Sequence, residues 1–189
     1  MRETEPSAAL LRALHAGDPS ARGLLVELWG PAVLRWCARI GGPRIDAEDA
    51  AHDVFERVLA SVHHVREPRA LSSWMFQTTR RVVADRRRRG WLRWWVPGLV
   101  PEVRSPSPGP ALDAETAQLA ARVREALDVL PAELREVLVL CEMEDRDGTE
   151  VAALLDVPLG TVKSRLRRAR ERFEAEAVRR GIAPDRGSP

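Results

Sequence analysis

Apolar residues recur along this chain at three- and four-residue spacing, and the strict alternation of a half-buried strand is absent. Leu10, Leu11 and Leu14 open a first helix, Leu24, Leu25 and Leu28 make a second short stripe, and Val33, Leu34, Cys37 and Ile40 a third. Gly41-Gly42-Pro43 then stops the chain. Asp46 is a predicted N-cap with acids in the turn after it, as the helix dipole favours. Ala51, Val54, Phe55, Val58, Leu59 and Val62 follow as one apolar stripe, and Asp49, Asp53 and Glu56 lie off it. A fourth helix is predicted from about Leu71 to Asp85, ending in Arg86-Arg87-Arg88-Arg89-Gly90.

Between residues 96 and 110 the periodicity fails, and five prolines fall in fifteen residues. Such a stretch neither continues a helix nor sits inside a sheet, so it reads as an extended linker. Beyond it, Leu127, Leu130, Leu134, Val137, Leu138 and Cys141 give two more stripes, with Pro131 placed for the first turn of the second. Residues 147–173 then read as helix, tight turn, helix: Asp147 caps, small Ala152 lets the second helix approach, and Val157-Pro158-Leu159-Gly160 turns the chain. The predicted fold is all-α, two small helical domains joined by a Pro-rich linker.

The chain has 189 residues and a formal net charge of only +2, but the charge is segregated. Residues 68–101 carry eight arginines against Asp85 alone, residues 113–156 carry twelve acids against four bases, and residues 161–172 carry six bases against Glu171. Blocks of opposite sign predict a protein that meets polyanion on some faces and something else on others. No apolar run is long enough to span a bilayer, and the N-terminal residues lack the pattern of an export signal. With only Cys37 and Cys141, a disulfide scaffold is not expected, and a reducing compartment is. His63-His64 and the cysteines lack metal-ligand spacing, and no nucleophile–base order, phosphate loop or dinucleotide glycine pattern occurs. No metal, cofactor or catalytic centre is therefore expected.

Projected at about 100° per residue, Val162, Leu166, Ala169 and Phe173 fall on one side of the last helix. Lys163, Ser164, Arg167, Arg168 and Glu171 fall on the other. An apolar seam backing long donors is what a helix needs to lie in a major groove. The fourth helix carries Trp74, Phe76 and its arginines together. That suits a single strand, with cations on phosphates and aromatics under bases, but equally a core pair of aromatics on a solvated helix. The acidic side of the third helix reads either as plain surface or as a docking face for a basic partner.

These residues resemble the extracytoplasmic-function (ECF) sigma factors of bacterial RNA polymerase. Leu155 to Arg170 is similar to conserved region 4.2, and Leu130-Pro131-Ala132-Glu133-Leu134-Arg135-Glu136-Val137 to the opening of region 4. Asp46-Ala47-Glu48-Asp49 through Val54-Phe55 resembles region 2.2, and Trp74-Met75-Phe76 through Arg80, with Asp85, regions 2.3 and 2.4. The resemblance implies a sigma region 2 bundle over 1–95, a linker over 96–112, a region 4 helix-turn-helix over 113–181 and a tail over 182–189. It implies that Asp49, His52, Asp53 and Glu56 dock on the β′ clamp helices of core RNA polymerase. Arg69, Ser72, Trp74, Arg80, Arg81, Arg87 and Arg88 would then meet the melted -10 element. Thr161, Lys163, Ser164, Arg165, Arg167 and Arg168 would read the -35 element, with the C-terminal domain on the β flap. An anti-sigma factor is implied as a further partner, and a cytoplasmic, nucleoid-associated location without stable membrane insertion. The sequence departs from the family pattern at His52, Arg81, Arg146 and Gly148, and the Trp91/Trp94/Trp95 cluster matches no family motif. The competing expectation is a stand-alone helix-turn-helix regulator that binds duplex DNA without polymerase.

Overall fold

The computed structural model describes residues 8–94 and 114–182, with the side chains of 90–94 outside that description. Among the described residues every regular element is a helix. The chain order is α1 (Ala8–His15), α2 (Pro19–Gly41), α3 (Ala47–Ser61), a 3-10 turn (Val62–His64) and α4 (Ala70–Trp94). It continues with α5 (Ala114–Asp128), α6 (Ala132–Leu138), a π turn (Val139–Met143), α7 (Gly148–Leu155) and α8 (Leu159–Arg179). They form two compact units, one carried by α1–α4 and the other mainly by α5–α8. The expected linker over 96–112 lies outside the described residues, as does the tail from residue 183 onward.

In the first unit, the two short stripes expected over 24–40 are one helix. Asp18 starts it by accepting from the Ser20 N–H at 2.8 Å, and Pro31 sits inside it. An interior proline costs about 3 kcal/mol. Fully burying one large apolar side chain returns roughly 1.5–3 kcal/mol, and α2 buries Leu25, Trp29, Val33, Trp36 and Ile40 along a single face. That face is not the predicted one throughout: Leu24, Leu28 and Leu34 point outward, while the two tryptophans go in. Trp36 is the hub, with its ring centroid 6.2 Å from Trp29 and 5.0 Å from Phe76, edge-on to the latter. Phe76 is thus core, and α4 is clamped to α2 through it. α4 does not end in the arginine run but continues to Trp94. Arginine is a good helix former and a lone Gly90 costs only about 1 kcal/mol, so nothing there breaks the helix.

In the second unit, Arg135 is 2% exposed. It reaches back to the end of α5, donating from Nε to the Leu127 carbonyl at 2.8 Å and from Nη2 to the Asp128 and Leu130 carbonyls at 3.0 and 2.8 Å. One side chain thereby supplies donors to carbonyls at the end of a helix, where backbone partners run short. α8 ends in a Schellman motif: Gly181 adopts φ 64°, and the Ile182 and Gly181 N–H groups donate to the Ala177 and Val178 carbonyls. Ile182, expected in the tail, is instead buried with Ala126 and Ala177.

Candidate nucleic-acid and protein interfaces

The turn between α7 and α8 is built locally. Asp147 accepts from the Thr149 and Glu150 N–H groups at 2.7 and 2.9 Å, and Glu150 accepts in return from the Asp147 N–H at 3.2 Å. This is a full capping box; the expected cap was half of it. Asp156 closes the helix at φ 55°, a left-handed position that Asp tolerates, and Val157 N–H donates back to the Ala152 carbonyl. A Cβ at Gly148 would sit 3.0 Å from Leu159 Cδ1, so the tip of that exposed side chain would have to shift by a few tenths of an ångström.

α8 then divides as its sequence predicts. Val162 and Ala169 are buried, Leu166 and Phe173 half-buried, and Lys163, Ser164, Arg167 and Arg168 exposed. Thr161 and Arg165 are half-buried at the edges of that face. Arg167 pairs with Glu171 at 2.8 Å, and Arg170 grips Glu142 of the π turn through Nε and Nη2 at 2.9 and 2.5 Å. Among the described residues Lys163 and Arg168 have no ion-pair partner. The helix offers two unengaged cations, a hydroxyl and one loosely held guanidinium on a rigid backing.

On α3, Asp46 accepts from the Glu48 and Asp49 N–H groups, both at 3.0 Å. His52 and Glu56 stand well exposed, 3.4 Å apart. Asp53 differs from its neighbours. Its carboxylate takes the Arg86 Nε at 2.7 Å, and Arg86 also donates to the Asp49 carbonyl at 2.9 Å. The hydrogen bond from Arg86 holds the Asp53 carboxyl below its ordinary value, against the opposing effect of burial. Asp53 therefore ties α3 to α4; the Asp49 carboxylate, 3.9 Å from Arg86 Nη1, stays exposed, and His52 and Glu56 are presented outward.

α4 spends its arginines unevenly. Besides Arg86, Arg87 donates to the Gly41 carbonyl at 2.7 Å and so closes the end of α2. Arg80 donates to Gln77 at 2.9 Å, and Arg88 to Asp85 at 3.0 Å. Arg69 and Arg81 are exposed, and Ser72 and Trp74 are half-buried. Of the expected strand-facing set, Arg87 is thus tied to the end of α2, and Trp74 is half-buried. The Trp91 and Trp94 side chains and all of Trp95 lie outside the described residues. Cys37 is buried, which pushes its thiol up to about 12, so it stays protonated and inert at neutral pH.

Comparison with known proteins now bears on this geometry. Residues 25–96 match the family model of sigma-70 region 2 and residues 120–173 that of sigma-70 region 4. A region 2 bundle and a region 4 helix-turn-helix in one chain define the class of sigma-70-type transcription initiation factors, which are not enzymes. The chain is 30% identical to the ECF RNA polymerase sigma factor SigD of Mycobacterium tuberculosis, over 92% of this chain and 84% of that one. It is 35% identical to the ECF sigma factor SigE of Mycolicibacterium smegmatis over 79% of its length, and spans 58% of that longer relative. Two solved structures are similar in fold: CnrH in complex with the cytosolic domain of CnrY, and the sigma factor RpoE in complex with the anti-sigma factor NepR from Bartonella quintana. The first has TM-score 0.65 and 23% identity, over 88% of this chain and 94% of that one. The second has TM-score 0.63 and 24% identity, over 82% of this chain and 96% of that one. The protein belongs to the ECF sigma factor family.

Among the described residues no helix is long and apolar enough to cross a membrane.

Proposed function

We propose that this sigma factor binds core RNA polymerase and directs it to a particular set of promoters, with the first unit on the -10 element and the second on the -35 element. The observation that carries this reading is the outward face of α8. Lys163, Ser164 and Arg168 stand exposed over a buried seam of Val162 and Ala169, the build of a helix that enters a major groove. Lys163 and Arg168 are placed to bond guanine edges or phosphates, with Thr161, Arg165 and Arg167 flanking them. In the first unit, Arg69, Ser72, Trp74, Arg80, Arg81 and Arg88 hold the melted strand by phosphate contact and stacking. Arg87 acts mainly by fixing the helix they stand on.

Asp49, His52 and Glu56 dock on the β′ clamp helices, and Asp53 keeps them in place. The second unit meets the β flap, and the linker joins the two. That a structure of similar fold, RpoE, was solved with the anti-sigma factor NepR supports an anti-sigma partner for this chain as well. A cytoplasmic, nucleoid-associated location follows from the same role.

The test is co-purification with core polymerase followed by run-off transcription. Core plus this chain should start transcripts that core alone does not. Charge reversal at Asp49 and Glu56 together should abolish core association while the chain still melts in a cooperative transition. Duplex binding by the chain without any association with core would favour a stand-alone regulator instead.

A further inference from the structure

Glu171 is the only acid among residues 161–172, against six bases. Projected at about 100° per residue, it falls between Arg167 and Arg168, inside the outward face of α8 rather than at its edge. Its side chain is 58% exposed, so it fills no gap in the seam. A carboxylate in that place repels phosphate and weakens any grip on a polyanion that rests on charge alone. Helix stability does not account for it either. Glu171 lies well beyond the first turn, where the helix dipole would favour an acid. An exposed ion pair adds little, and less when the acid follows the cation by four residues than when it precedes it.

What the carboxylate does touch is Arg167, whose Nη1 donates to Oε1 at 2.8 Å. Among the described residues it makes no other bond, and Arg168, three residues before it, makes none. The pair therefore presents the remaining guanidinium donors of Arg167 beside an open carboxylate oxygen, on one outward patch. Phosphate offers only acceptors and has no use for that oxygen. The major-groove edge of a G·C pair has a use for both: guanine N7 and O6 accept, and the cytosine N4 amino group beside them donates. An A·T pair interrupts its acceptors with the adenine amino group, so a guanidinium donor meets a donor there. We propose that Glu171 is a specificity-determining residue of α8: it draws Arg167 away from phosphate and, together with it, reads a single G·C pair of the -35 element. This inference deepens the reading of α8 given above and rests on it.

The experiment uses holoenzyme assembled from core polymerase and the full chain. Its ligands are promoter fragments with a fixed -10 segment and a random upstream segment, from which the unmodified holoenzyme enriches its preferred duplex. That duplex is then compared with a scrambled one and with versions in which each upstream G·C pair is changed in turn to A·T. Glu171→Ala should weaken binding to the enriched duplex and leave binding to the scrambled one equal or tighter, because a repelling charge is gone. A merely structural role would weaken both. At one position only, discrimination between G·C and A·T should fall about 5- to 100-fold. Arg167→Ala should lose discrimination at that same position, and adding Glu171→Ala to it should remove no more. Both side chains are exposed, so the variants should melt as the unmodified chain does. Equal weakening of both duplexes by Glu171→Ala overturns the proposal. So does discrimination kept at every position, or lost at different positions in the two single variants. Failure of the unmodified holoenzyme to enrich any upstream segment is a separate result, and overturns the -35 reading itself.

Discussion

α4 and α8 are both long arginine-bearing helices, and their sequences look alike in charge, yet they use that charge in opposite ways. α4 turns Arg86 and Arg87 back onto its own bundle, one to the Asp53 carboxylate and the other to the Gly41 carbonyl. α8 keeps Lys163 and Arg168 exposed, and commits Arg170 to Glu142 at its flank. The difference lies in what packs beside each helix. α4 lies against α3, whose acids are within reach, and against the end of α2, whose carbonyls lack partners. The outer face of α8 meets neither. A run of arginines therefore reports a helix that can bind polyanion only after the inward-turned members are set aside.

The contrast between inward and outward cations predicts graded effects. Arg135 is the most inward of all, and Arg135→Ala strips the cap from α5. The expected loss is about 3 kcal/mol of unfolding free energy, read by urea titration. Arg86→Ala should cost about 2 kcal/mol, since a bond to a charged carboxylate and one to a carbonyl are lost together. Arg89→Ala beside it should stay within about 0.5 kcal/mol. If these two variants melt alike, the division of α4 is wrong. Lys163→Ala and Arg168→Ala should leave stability unchanged and weaken binding to -35 duplex by about 1–2 kcal/mol, more on the preferred sequence than on random DNA. An equal loss on all sequences makes them phosphate contacts.

The smallest effect is that of pH on the Asp53–Arg86 pair. The folded state lowers the Asp53 pKa from its ordinary value of 3.8. Its contribution is therefore complete above that value and is lost as pH falls through the folded one. Between about pH 6 and about pH 3, Asp53→Asn should lose less stability than the unmodified chain, and equal losses would remove the pair from the account.

How much of this was legible in the sequence depends on range. Caps and turns are local, so Asp46, Asp147 and the Gly41-Gly42 stop were readable directly. The seam of α8 was readable too, because one period governs the whole helix. The capping-box partner Glu150 and the Schellman end Arg180-Gly181-Ile182 were equally local, and the spacing Asp-x-x-Glu and the glycine before an apolar residue were the signals for them. What escaped was tertiary. The stripes over 24–28 and 33–40 read as separate, because the burial of Trp29 and Trp36 that joins them in one helix depends on packing. Arg87 was expected to face the strand, because the carbonyl it bonds is 46 residues away in the chain.

The Trp29–Trp36–Phe76 cluster also has an optical consequence. Every tryptophan in the chain precedes residue 96, and the chain has no tyrosine. Ultraviolet emission excited near the red edge of absorption therefore comes wholly from the first module and its continuation, while the second is dark. Melting followed by emission reports the first unit alone, melting followed by far-ultraviolet dichroism reports both, and the gap between the two curves isolates the silent half without a label or a truncation.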